Sequence, residues 1–117
     1  MATYSKVVLS GSTNGKQIKV AATSTPGTTI HTAGAGTTNS DEVWLYVTNN
    51  HTESVAVTIE WGGTASPDDL MQMSIPSKTG LYLLVPGLVL NNSLVVKVFA
   101  ATTNVVCVSG WVNRITA

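Results

Sequence analysis

Residues 42–61 read EVWLYVTNNHTESVAVTIEW, and the alternation in this stretch decides the fold. Val43, Leu45 and Val47 occupy every second position, so an extended chain places them on one face. Trp44, Tyr46 and Thr48 then lie on the other. After Asn50-His51-Thr52-Glu53 the pattern resumes, with Val55, Val57, Ile59 and Trp61 on one face and Ala56, Thr58 and Glu60 opposite. Two strands joined by a short polar loop predict a β-hairpin.

The same grammar runs along the chain. Leu94 to Ala101 and Val105 to Ile115 flank Thr102-Thr103-Asn104 and predict a second hairpin. Ser5 to Ser10 and Lys16 to Ala22 flank an Asn14-Gly15 turn, with Ile18 and Val20 inward and Lys16 and Lys19 near solvent. Thr29 to Thr32, Met71 to Ile75, Leu81 to Val85 (closed by Pro86-Gly87) and Leu88 to Leu90 read as short strands. Ala33 to Ser40 reads as a mobile loop. No window keeps a helical apolar period. The prediction is one all-β domain over residues 1–117, an antiparallel β-sandwich or barrel-like jelly roll of about eight strands. Each sheet is expected to receive one hairpin, and residues 1–5 read either as a disordered terminus or as an N-terminal arm.

Six Lys and Arg balance six Asp and Glu, and only 10% of residues are charged. No basic patch is present to neutralise phosphates, which argues against a nucleic-acid partner. No apolar run reaches the length of a membrane span, which argues against a membrane partner. The N-terminus lacks the pattern of a signal peptide, so synthesis in the producer's cytoplasm is expected. Cys107, the single cysteine, lies in the run Val105-Val106-Cys107-Val108 and is expected to be a small buried hydrophobe. A surface with so few charges has little electrostatic protection against association, which suits an assembly subunit.

Candidate chemistry is sparse. Glu60, Asp68 and Asp69 hold half of the acids within EWGGTASPDDL, residues 60–70. A calcium site needs six to eight converging oxygens, and the alternating acids of a calcium loop are missing. Turn chemistry is the simpler reading: Gly62-Gly63 leaves the strand, and Asp68 or Asp69 caps a single helical turn. His31 and His51 lack neighbours at metal-ligand spacing and are expected to be solvated loop residues. No catalytic, metal-binding or cofactor-binding residue is expected. The candidate interface residues are aromatic. Trp44 and Tyr46 share one strand face, as a protein contact, a sugar platform or a face covered by a loop. Tyr4, placed before the first strand, is the candidate anchor of the N-terminal arm.

The runs VVLSGSTNGKQIKVAATSTPGTTIHTA, DEVWLYVTNNHTESVAVTIEWGGT, PDDL, GLVLNNSLVVKVFA and GWVNRI resemble a family of small virion structural proteins of tailed bacteriophages. The likeness extends over nearly the whole chain and rests on framework pieces such as Gly87 to Asn92 and Trp111 to Ile115. It implies a non-catalytic part of the particle. The role favoured is a capsid decoration or cement protein, a homo-oligomer with a trimer favoured, bound to the major capsid protein or other virion proteins. The implied location is the virion, after synthesis in the host bacterial cytoplasm. A head–tail joining or tail-completion protein is the first alternative. A carbohydrate-binding module on the virion is the second.

Overall fold

The computed structural model describes residues 2–117, which form nine strands and no helix. These are β1 (Thr3–Val8), β2 (Ile18–Lys19), β3 (Thr28–Thr32), β4 (Ser40–Asn49), β5 (Val55–Trp61), β6 (Leu70–Ile75), β7 (Tyr82–Leu90), β8 (Val95–Ala100) and β9 (Val106–Thr116). One sheet has the order β1-β9-β4-β7, with β2 also on β9, and the other has the order β3-β8-β5-β6. All pairings are antiparallel. β1 faces residues 111–116 of β9 and β2 faces residues 107–108. The two are therefore segments of one edge strand, interrupted by residues 9–17, and the expected hairpin between them does not form. Counting them together leaves a four-on-four sandwich. Every later connection crosses between sheets except β5 to β6, which is the jelly-roll arrangement. The predicted fold class is the observed one.

The two central hairpins are not hairpins. β4 pairs with β9 and β7, whereas β5 pairs with β6 and β8 in the opposite sheet. β8 and β9 are likewise split. Alternation cannot separate the two outcomes, because a hairpin and an arch both turn Val43, Leu45, Val47, Val55, Val57 and Ile59 inward. The connection separates them. The Asn49 carboxamide, fully buried, donates to the carbonyls of Glu53 and Ile75, both at 2.9 Å. Its oxygen accepts the His51 N–H at 2.9 Å. These three bonds carry the chain across the end of the sandwich. At the second crossing Asn104 takes a left-handed conformation (φ 63) and its N–H reaches the Val20 carbonyl at 3.0 Å. Asn49→Ala removes the donor to the buried Ile75 carbonyl and the one to the part-buried Glu53 carbonyl, so a loss of about 3 kcal/mol is expected in urea denaturation. The exposed neighbour change Asn50→Ala should stay within about 0.5 kcal/mol; equal effects at both positions would refute the role given to Asn49.

Valine dominates the core, where Val43, Val47, Val57, Val96, Val98, Val106, Val108 and Val112 are fully buried. Branched side chains suit the pleated inner faces of two packed sheets. β7 runs unbroken through Pro86, where sequence reading ended a strand. Its edge position permits this, since a proline has no N–H to donate to a missing outer neighbour. The β4–β7 register shifts between Val43 and Trp44 and again between Leu45 and Tyr46, absorbing the irregularity. Residues 33–36, expected to be mobile, are tied down. Ala33 N–H donates to the Leu94 carbonyl, Gly34 N–H to Asp41 Oδ2, and the carbonyls of Gly34 and Gly36 accept from Ser93 and Asn92.

Candidate functional site

The acidic stretch resolves into loop fastening. Glu60 is buried, and its two carboxylate oxygens accept the Thr25 hydroxyl at 2.6 Å and the Gly27 N–H at 2.7 Å. It pins the β2–β3 connection to the outside of the second sheet. Asp69 Oδ2 accepts the Ala65 N–H at 3.1 Å and braces the β5–β6 turn. Asp68 is exposed. Gly62 takes a positive φ of 78 at the exit from β5, as the turn reading requires. No helix forms, so the predicted cap on a helical turn becomes a side-chain brace across a hairpin loop.

His31 corrects the histidine reading. It lies in β3 and is fully buried. Its Nδ1 accepts the Ser10 N–H at 3.0 Å, which places the ring proton on Nε2, 2.8 Å from Asp41 Oδ2. Arg114 donates from Nε to Oδ1 at 2.9 Å and from Nη2 to Oδ2 at 3.0 Å. Burial pushes the Asp41 carboxyl up, but the hydrogen bonds from Arg114 and His31, with the charge of Arg114, outweigh it and hold the group below the usual carboxylate range. Every polar atom of the cluster that points inward is engaged, and the ring is sealed from solvent. The cluster ties β3, β4 and β9 together.

The outer face of the first sheet is different in kind. Strand register places side chains in rows across it: Lys6, Asn113, Glu42 and Val89 in one, Val8, Trp111, Trp44 and Pro86 in the next, then Ser109, Tyr46 and Leu83. Exposed apolar side chains gather here, with Tyr4 65% exposed, Val8 52%, Leu83 44% and Val89 54%. Trp44 and Tyr46 are half-buried by their neighbours within the sheet. Trp44 stacks on Trp111, with centroids 5.5 Å apart and planes 9° from parallel. Lys6 Nζ lies 4.8 Å from the Trp111 ring centroid. A Cβ at Gly87 would lie 2.7 Å from Trp44 Cζ2, 3.0 Å from Cε2 and 3.3 Å from Cη2, so the Gly87 backbone lies over the ring face. Lysine, indole, indole and glycine thus form a closed stack whose edges face outward. Trp44 Nε1 donates to Glu42 Oε1 at 2.8 Å.

Of the three sequence candidates, Trp44 and Tyr46 share this face as expected. Tyr4 also lies on it, but inside β1 and paired with Ile115. Thr3 to Ser5 therefore extend the sheet where an arm or a disordered terminus was expected; Met1 lies outside the described residues. Sequence reading gave Trp111 no role on this face. Its parity with Ser109 and Asn113 was legible, but the pairing of β9 with β4 was not. Cys107 also points to this face and is half-exposed, correcting the expected buried thiol.

Fold and face define a jelly-roll sandwich with an apolar, aromatic outer sheet surface. No family, no curated protein and no solved structure matches the chain.

Proposed function

We propose that this protein is a structural subunit of a phage particle, a capsid decoration or cement protein that works through protein–protein contacts. The observation that carries the reading is the outer face of the first sheet, where a clustered apolar and aromatic surface accompanies a formal net charge of zero. Exposed patches of this kind suit protein contact. Apolar and hydrogen-bonding contacts also survive salt better than ion pairs. The jelly roll occurs in viral capsid domains and in lectins, an analogy of fold alone. The sugar-platform alternative is weakened by the stack itself, because Trp111 has an indole on one side and Lys6 on the other.

Purified protein added to shells that lack it should bind in copies on the order of hundreds, as repeated contacts on a closed shell require. The shells should then resist heat and low salt better. A handful of copies confined to one vertex would favour the head–tail joining alternative. No association with any particle component would overturn the proposal.

A further inference from the structure

The occupant of the aromatic face can be specified from its charge pattern. We propose that it is a second copy of this chain, packed face to face about a two-fold axis that runs along β9. The inference rests on reading this face as a protein interface. β1 and β4 flank β9, each about 4.8 Å away. Lys6 on β1 and Glu42 on β4 share one row, with Asn113 between them. A two-fold along β9 exchanges the two flanking columns across the interface. Lys6 of each copy then faces Glu42 of the other, Val8 faces Trp44, and the two Trp111 edges meet on the axis. A two-fold across the strands keeps each column opposite itself and pairs neither charge. The pattern is thus complementary in one orientation, as an isologous contact demands.

Distance agrees with this packing, and the area sets its strength. Stacked sheets lie about 10 Å apart, which a lysine and a glutamate reaching from opposite sides can span. Glu42 is free to take the second partner, since the Trp44 indole engages only Oε1. With the axis on β9 only β1, β9 and β4 lie opposite one another, because β7 of each copy projects past the β1 edge of the other; three strands about 4.8 Å apart and about ten residues long overlap over roughly 480 Å² per copy. The total of about 960 Å² falls in the range of weak, transient contacts, below that of standard stable interfaces. Area alone does not fix affinity, but an overlap of this size suits a weak, concentration-dependent association, with a dissociation constant on the order of tens of micromolar. Among the described strand residues, Lys19 is a further charge on this face; its row continues to Cys107 and Thr48 and sets no acid or base against it.

Sedimentation equilibrium on the full chain from roughly 1 to 200 µM, a range that spans a weak association of this kind, is the test. The wild type should fit a monomer–dimer equilibrium. Lys6→Glu and Glu42→Lys each set two like-charge contacts into the dimer and should weaken it at least about a hundredfold. The exchange variant carrying both should recover to within about tenfold of wild type. Circular dichroism checks that each variant is folded, and Val8→Arg, on an exposed position, supplies an independent block. A three-copy mass, a monomer throughout, or a dimer indifferent to both single changes would overturn the two-fold. Shell binding is measured on the same variants. A monomeric wild type whose binding to shells is lost in Val8→Arg would sink the two-fold and leave the structural role intact. A dimer behaving as described that binds no particle would do the reverse.

Discussion

Gly110→Ala is expected to cost more than about 4 kcal/mol, the range reserved for changes the fold cannot absorb. Gly110 lies in the middle of β9, opposite Leu45 of β4, with φ at 150. A Cβ there would overlap the Trp44 carbonyl oxygen and lie 3.0 Å from its carbonyl carbon and 3.2 Å from Leu45 Cα. All three are backbone atoms of the neighbouring central strand, so no side-chain rotation relieves the clash. β4 would have to move off β9, and the ladder from Ser40 to Asn49 would loosen with it. The Trp44–Trp111 stack is built on the same two strands and would separate. For a chain of this size about 4 kcal/mol corresponds to a fall of roughly 15 °C in Tm. Recovery only in insoluble form is the stronger version of the same outcome. Ser109→Ala, one residue away on the outer face, should change Tm by no more than about 2 °C. A folded Gly110→Ala protein within about 3 °C of wild type would show that the close approach has no energetic weight.

Gly110 also shows what alternation leaves unread. A glycine inside a strand pattern marks a bulge or a close backbone approach, a signal in Val105 to Ile115 to which sequence reading gave no weight. Which strand it approaches depends on pairing, and pairing depends on the connections. Val43, Leu45 and Val47, with Val55, Val57 and Ile59, fixed the inward faces correctly from period alone. They did not fix the sheet, because side chains packed across the core and side chains packed side by side share one pattern. The deciding atoms belong to Asn49, a polar residue that sequence reading placed at a strand end. For the same reason Tyr4, Trp44 and Tyr46 could be nominated singly, while the row containing Lys6, Trp111 and Glu42 emerged only when β9 was set between β1 and β4. His31 was misread because a lone histidine among threonines looks solvated. Its partners, Asp41 and the Ser10 amide, are 10 and 21 residues away.

Those partners set the second large effect. Asp41→Ala is expected to lose about 3 kcal/mol at neutral pH, through removal of the acceptor shared by His31, Arg114 and the Gly34 N–H. Arg114, whose side chain is 37% exposed, can turn to water, but His31 cannot, so its Nε2 hydrogen stays buried without a partner. The pH dependence follows from the direction of the Asp41 shift. A carboxyl held below its ordinary value binds a proton more readily when the chain unfolds. Its contribution is therefore complete above the unfolded value of roughly 4 and is lost as pH falls through the lower folded value. Urea denaturation of the wild type at pH 7, 5, 4 and 3 should show stability declining below roughly pH 5. Asp41→Asn should start lower at pH 7 and decline less over the same interval, because the titrating group is gone while an oxygen acceptor for His31 remains. The difference between the two proteins should accordingly shrink as the solution is acidified. Parallel curves for wild type and Asp41→Asn would mean that other carboxylates govern the acid response and that this cluster contributes packing alone.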